Sequence, residues 1–155
     1  MKKYGMARIV AFRANLKDWT KKSKSKNKEK ITRSTLEARK RKSIRKELDK
    51  IFSILTRSKG KCERCGKTTT LQTVHIFSRK NLATRWDKDN VLCGCAGCHF
   101  WAHQNPILFT EFVKSKKGVE KYEEIKKKSI TIKKWAILEL EELLEEFTME
   151  VKNEH

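Results

Sequence analysis

The stretch that decides the fold runs from residue 62 to residue 103 and reads CERCGKTTTLQTVHIFSRKNLATRWDKDNVLCGCAGCHFWAH. It contains two Cys-x-x-Cys pairs, Cys62 with Cys65 and Cys95 with Cys98. A spacer of two residues lets both sulfurs of a pair reach one metal ion, and two such pairs at this separation are typical of a tetrahedral zinc site. The sequence therefore predicts a structural zinc ion held by four thiolates.

Four further polar residues lie within the same stretch, namely His75, Asn90, His99 and His103. A structural zinc knuckle needs only its four sulfurs, so these side chains predict a second, reactive centre. On a helix, His99 and His103 would share one face because they are four residues apart, and their imidazoles could bind one cation. In the ordinary alternative, such histidines pack in a core or cap a helix.

The stretch resembles the signature of HNH nucleases, in which a His, an Asn and a second His occupy a ββα-metal unit. The resemblance is carried by LQTVHI at residues 71–76, DNVL at 89–92 and CxxCH at 95–99. It covers residues 61–106 and includes no other part of the chain. It implies a zinc-ribbon HNH endonuclease that hydrolyses phosphodiester bonds with a catalytic divalent cation such as Mg²⁺ or Mn²⁺.

Within that superfamily, the chain is most similar to the NinG (Rap) recombination endonucleases of phages. The similar segments are CxxCG at residues 62–66 with the following Leu-Gln, HIFSR at 75–79 and TRWD at 84–87. This similarity implies a phage-derived enzyme that nicks branched or nicked DNA during recombination or processing. The expected location is the cytoplasm of a bacterial host.

The resemblance also assigns roles to the individual residues. His75 would be the general base, because a neutral imidazole accepts a proton near neutral pH. Asn90 would orient the His75 ring or its loop through the amide group. His99 and His103 would hold the catalytic cation.

One position departs from the HNH pattern. Val74 occupies the position before the catalytic His, where HNH nucleases usually have Asp, Glu or His. Valine cannot bind a metal ion. Three alternatives remain open: His99 and His103 hold the cation with waters and the substrate phosphate, or Asp87 or Asp89 supplies a ligand, or activity is weak. NinG-like sequences also lack an acid at this position, which argues against inactivity.

The charge of the chain independently indicates a polyanionic partner. Its 155 residues include 38 Lys and Arg against 19 Asp and Glu, a net charge of +19, which exceeds what solubility requires. Residues 13–46 contain 15 basic and 3 acidic side chains and so carry +12. A charge run is ordinarily a solvated surface, but beside a nuclease-like centre it favours phosphate binding.

Two groups of basic residues are predicted to contact DNA phosphates. The loop between the predicted strands supplies Arg79, Lys80 and Arg85. The first half of a predicted basic helix supplies Arg39, Lys40, Arg41 and Lys42. Trp86 could stack on a base or cover the zinc knuckle, and the structural role is favoured for it, as it is for Trp101.

The predicted fold is α+β and mostly helical, with a small ββα-metal core and a four-cysteine zinc knuckle between an N-terminal basic helix and C-terminal helices. The predicted segments are a basic flexible arm at residues 1–31, the basic helix at 32–60, the nuclease core at 61–106 and the helical extension at 107–155. A metal ion would stabilise this small core, because only 37% of the residues are hydrophobic.

Local signals place the elements within these segments. Ser34-x-x-Glu37 predicts a capping box that begins the basic helix, and Gly60 predicts its end. Strands are predicted at residues 71–77 and 90–92. Helices are predicted from Cys98 onward and at residues 107–117, 119–128 and 132–151.

The last predicted helix has an apolar stripe formed by Ile132, Ala136, Leu140, Leu143, Phe147 and Val151. We interpret this stripe as part of the intramolecular core, with a homodimer seam as the alternative. Cys93, next to the second cysteine pair, is expected to be a small buried residue and not a fifth ligand.

The sequence predicts a cytoplasmic protein with no membrane partner. It has no run of about 18 apolar residues and no apolar block typical of a signal peptide near Met1. In that compartment five cysteines indicate metal ligation and not disulfides. The alternative functions are a non-catalytic zinc-ribbon DNA-binding protein, which has no use for the histidines, and a zinc-stabilised RNA-binding protein.

Overall fold

The structure is a computed structural model that describes residues 32–153, so the predicted arm at residues 1–31 lies outside the described part of the chain. Described residues before Lys40 belong to one compact unit, and those from Lys40 onward belong to a second. All the predicted site residues except Arg39 belong to the second unit.

Residues 32–153 form five helices and one two-stranded antiparallel sheet, which confirms an α+β, mostly helical fold. The helices are α1 (Arg33–Arg57), α2 (Ala96–Gln104), α3 (Pro106–Lys117), α4 (Val119–Ser129) and α5 (Ile137–Asn153). The strands are β1 (Leu71–His75) and β2 (Val91–Cys95), and a 3₁₀ turn at Lys88–Asn90 precedes β2. In this part of the chain, no helix is long and apolar enough to cross a membrane.

Helix α1 begins earlier than its predicted capping box. The Thr32 hydroxyl accepts a hydrogen bond from the Thr35 amide at 3.2 Å and so satisfies a free amide of the first turn. Ser34 therefore lies inside the helix. At the other end, Gly60 has a φ of +70°, and its amide donates to the Arg57 carbonyl at 2.9 Å. This glycine turn ends the helix as predicted, three residues after its last helical residue.

The two strands pair in a register that aligns Leu71 with Cys95 and His75 with Val91. Strand β2 continues three residues beyond its predicted end, and all five of its residues are buried. Gly94 permits this close packing, because a Cβ atom there would lie 2.6 Å from Cγ2 of Val74. Any larger residue at this position would require the Val74 side chain to shift.

The sheet separates two hydrophobic clusters. On one face, Val91 and Trp86 pack with residues of α1 and α5. On the other face, Val74 and Leu92 pack with residues of α2, α3 and α4. Trp86 is therefore structural, as predicted, but it lies in the α1–α5 core and not over the zinc knuckle.

The last helix is shorter than predicted. Glu139 accepts a hydrogen bond from the Ala136 amide at 2.6 Å, which is typical of a side chain that caps a helix start. Helix α5 begins at Ile137, so Ile132 is 93% exposed and lies outside the apolar stripe. Leu140 and Phe147 are buried in the α1–α5 cluster, which confirms the intramolecular reading of the stripe.

Candidate functional site

The two cysteine pairs meet at one point. The sulfur atoms of Cys62, Cys65, Cys95 and Cys98 all lie within 4.8 Å of one another, and the Cys65 and Cys95 sulfurs are 3.7 Å apart. In a tetrahedral zinc site with bonds of about 2.3 Å, the sulfurs are about 3.8 Å apart. The tetrad is therefore positioned to bind a metal ion and is compatible with structural zinc.

Local backbone geometry builds each half of this tetrad. Gly66, with a φ of +78°, donates its amide to the Cys62 carbonyl at 2.9 Å and closes the first turn. The second pair spans the end of β2 and the first turn of α2. Burial would raise the pKa of Cys62, but backbone amides of Cys65, Cys95 and Arg64 lower that pKa to about 6. The Cys62 thiol thus ionises readily, whereas burial raises the pKa of Cys98 to about 12.

Two further residues complete the surroundings of the tetrad. Arg64 donates to the Cys98 sulfur at 3.6 Å, and its guanidinium lies 3.6 Å from the Trp101 ring centroid. This positive charge offsets the net charge of about −2 that four thiolates and one Zn²⁺ would carry. Cys93 is fully buried and outside the tetrad, which confirms the prediction for it.

A groove of about 880 Å³ runs beside β1 and is lined by His75, His99 and His103. Within the described residues β1 is paired only with β2, so its other edge is open. Side chains alternate along a strand, and His75 therefore lies on the α1 face of the sheet while Gln72 and Val74 lie on the α2 face. The groove brings together groups from both faces.

His75 occupies the end of β1, where its Nε2 atom lies 3.1 Å from the carbonyl oxygen of Arg85. Because a carbonyl oxygen only accepts, Nε2 carries the proton and Nδ1 of the neutral ring keeps a free lone pair. Burial lowers the pKa of His75 below its usual 6.5, and the nearby Arg79 charge lowers it further. The ring is thus neutral at neutral pH and able to accept a proton at Nδ1.

Asn90 is fully buried and pins the loop that follows β1. Its side-chain oxygen accepts from the Phe77 amide at 2.8 Å, and its amide nitrogen donates to the carbonyls of Phe77 and Thr84 at 2.9 Å each. Of the two predicted roles, the structure gives it contact with the loop and not with the His75 ring. Asn90 thus fixes this loop, and one of the carbonyls it binds, that of Thr84, directly precedes the Arg85 carbonyl that contacts His75.

His99 and His103 lie on one face of α2, as predicted from their spacing. Their Nε2 atoms are 3.2 Å apart, and their rings stack with centroids 4.9 Å apart. Two nitrogen ligands about 2.1 Å from one ion, at angles near 90° to 110°, are about 3.0 to 3.4 Å apart. The pair is therefore spaced to share one cation.

Gln72 supports this pair and is absent from the sequence prediction. Its side-chain oxygen lies 2.7 Å from Nδ1 of His99, so Nδ1 carries the proton and Nε2 keeps its lone pair, which in this structure faces Nε2 of His103. Ligand histidines in metalloproteins usually have such an outer partner, which fixes the tautomer and orients the ring. The two residues are 27 positions apart, and no local spacing signals their contact.

The missing acid before His75 is not replaced by a neighbouring carboxylate. Asp87 accepts from the Asp89 amide at 2.9 Å and pairs with Lys128 at 2.5 Å, while Asp89 pairs with Lys121 at 3.3 Å. Among residues 32–153, the cysteine tetrad is the one close group of three or more ligand side chains. This geometry gives no support to Asp87 or Asp89 as a metal ligand.

The three loop cations predicted to bind DNA have different environments. Arg79 is exposed and lines the groove, whereas Lys80 is exposed outside the groove lining. Arg85 is only 20% exposed and pairs with Asp49 at 2.5 Å, so its guanidinium is less available to a phosphate than that of Arg79. Arg57, at the end of α1, lines the groove and was not predicted.

The basic residues of α1 also divide into two kinds. Lys40 pairs with Glu141 of α5 at 2.8 Å, and Arg41 donates to the Trp135 carbonyl. Arg39 and Lys42 are exposed. Lys40 and Arg41 therefore help to hold α5 and its preceding segment, which the charge pattern alone did not distinguish from phosphate binding.

Comparisons with protein-family models, with curated proteins and with solved structures find no match for this chain. The assignment of a function therefore depends on the residues of the groove and on their geometry.

Proposed function

We propose that this protein is a metal-dependent DNA endonuclease of HNH type that nicks DNA and is stabilised by zinc in the cysteine tetrad. One observation carries the proposal: His75, with a free Nδ1, and the His99–His103 pair line the same groove. Arg57 and Arg79 line that groove too and add positive charge where a phosphate would bind. A base, a cation site and phosphate contacts are the parts that phosphodiester hydrolysis requires.

Each residue then has a defined task. Nδ1 of His75 accepts a proton from a water molecule, whose oxygen attacks the phosphorus atom as the bond to the 3′ oxygen breaks. His99 and His103 would hold the divalent cation, which supplies Lewis-acid stabilisation of the phosphate and the leaving oxygen. Arg79 and Arg57 hold the phosphate backbone against the groove.

The non-catalytic alternatives explain fewer of these features. A zinc-ribbon DNA-binding protein would use the tetrad and the net charge of +19, but it would not need His75 and a histidine pair in one groove. The same applies to an RNA-binding protein. The resemblance to recombination endonucleases favours branched or nicked DNA as the substrate, cut one strand at a time.

Nicking of supercoiled plasmid tests the proposal directly. We expect conversion of plasmid by the zinc-loaded protein to the open circular form with added Mg²⁺ or Mn²⁺ and none without them, because the cation neutralises charge on the phosphate. DNA binding by gel shift should persist without added Mg²⁺ or Mn²⁺. Binding without any metal-stimulated cleavage, on plasmid or branched substrates, would instead favour a non-catalytic DNA-binding protein.

Gln72→Ala is expected to weaken Mn²⁺ binding about 10- to 100-fold, the usual cost of losing an outer partner of a metal ligand. The His99 ring would keep its ligand atom but lose the acceptor that fixes its orientation. Titration calorimetry with Mn²⁺ on the zinc-loaded protein measures the change, and cleavage should recover at high Mn²⁺.

Gln104→Ala is the matched control, because Gln104 is an exposed glutamine at the end of α2, the helix that carries His99 and His103. It should bind Mn²⁺ as the wild type does. Equal Mn²⁺ affinities for Gln72→Ala and wild type would show that Gln72 does not support His99 as a metal ligand.

A further inference from the structure

Asp49 is a carboxylate of α1 that lines the groove and that the functional assignment leaves without a role. It accepts three hydrogen bonds: from Nε and Nη2 of Arg85 at 2.9 and 2.5 Å, and from the Trp86 indole at 2.9 Å. Burial would raise the pKa of Asp49, but the Arg85 hydrogen bonds and charge lower that pKa below its ordinary value. Asp49 is therefore ionised at neutral pH and holds two consecutive residues of the loop.

Arg85 connects this carboxylate to the base. Its side chain binds Asp49, and its carbonyl oxygen lies 3.1 Å from Nε2 of His75. Its Nη1 atom also donates to the Arg79 carbonyl at 3.1 Å, which fixes the loop on its other side. The position of the Arg85 carbonyl thus depends on where Asp49 holds the Arg85 side chain.

We propose that Asp49 is a positioning residue for His75: by anchoring Arg85, it keeps the Arg85 carbonyl on Nε2 and so leaves Nδ1 free to act as the base. The inference rests on the proposed function for its catalytic meaning, but the tautomer of His75 can be measured without any cleavage. A histidine with its proton on the wrong nitrogen cannot act as a base. Losing the contact that fixes the tautomer can lower the rate up to about 10⁴-fold.

Asp49 also acts directly on the titration of His75 through its charge. Arg79 and Arg85 lower the pKa of His75 from the loop side, and Asp49 raises it from α1. Removing the Asp49 charge should therefore lower the pKa of His75 further. The acidic limb of the cleavage profile should move to lower pH while the maximal rate falls. A role limited to stability would leave the tautomer unchanged, whereas the limb responds to the Asp49 charge in either case.

The test is Asp49→Asn, which keeps the size of the side chain. In ¹⁵N-labelled protein, the ring nitrogens of His75 are assigned by comparison with His75→Ala among only four histidines. Wild type should show the proton on Nε2, and Asp49→Asn should show a mixture of tautomers. Single-turnover cleavage of saturating DNA should fall about 10- to 100-fold with a shifted acidic limb.

Glu47→Gln is the control, because Glu47 is an exposed acid of the same helix. Arg85→Gln is the second variant and should reproduce the tautomer mixture, with no additional loss in the double variant. If either Asp49→Asn or Arg85→Gln folds and keeps the wild-type tautomer, the proposal is overturned. A wild-type protein that cuts no DNA would contradict the proposed function, while the tautomer measurement would still decide the positioning role.

Discussion

Cys65→Ser is expected to release the metal ion from the tetrad and to unfold most of the domain. Structural zinc contributes about 10 to 16 kcal/mol of apparent binding free energy in zinc-finger peptides, whereas a domain of this size is stable by only about 5 to 15 kcal/mol. Removing one of four sulfurs that lie within 4.8 Å of one another therefore costs as much as the whole fold provides. Zinc content and thermal unfolding by circular dichroism measure both effects.

Cys93→Ser is the matched control for this experiment, because Cys93 is a fully buried cysteine of β2 outside the tetrad. It should keep one zinc ion per chain and lose only about 1 to 3 kcal/mol, the cost of placing a hydroxyl in an apolar site. A Cys65→Ser protein that stays folded with its full zinc content would contradict the metal site.

His75→Ala is expected to lower the cleavage rate at least about 100-fold while DNA affinity and folding stay close to wild type, the usual scale for a lost general base. In the wild type, burial holds the pKa of His75 below 6.5. The neutral, proton-accepting ring is therefore present above that lowered pKa, and activity should decline as the pH falls through it. The acidic limb should lie below pH 6.5 and be absent from the variant.

Single-turnover cleavage from about pH 5 to 8 measures this limb. Added imidazole should partly restore cleavage to His75→Ala, because a soluble base can enter the space that the ring leaves. An unchanged rate, or an acidic limb that survives in the variant, would place the base on another residue.

Features that depend on short spacings could be predicted from the sequence. The two Cys-x-x-Cys pairs, the i and i+4 histidines and the buried Cys93 follow from local geometry, and the structure brings each into the expected place. The helix ends were less accurate, because single side chains such as Thr32 and Glu139 satisfy the first free amides and move the boundary by a few residues.

Contacts across the fold could not be predicted. Asp49 and Arg85 are 36 positions apart, and no local pattern distinguishes a cation that pairs with a carboxylate from one that binds phosphate. The same limit applies to Lys40, which pairs with Glu141 on a helix far along the chain. The sequence identified the basic residues, but only the packing shows which charges remain available.

The two candidate metal sites meet at consecutive residues of α2, where Cys98 belongs to the tetrad and His99 begins the histidine pair. Ordering of this part of α2 serves both sites. Occupancy of the tetrad should therefore raise the affinity of the histidine pair for a cation, and by linkage the histidine pair should raise the affinity of the tetrad to the same degree. Metal loading would then be sequential, with the thiolates filled first because they bind more tightly. In a cell short of zinc, the cation site proposed at the histidine pair would then bind its ion less tightly.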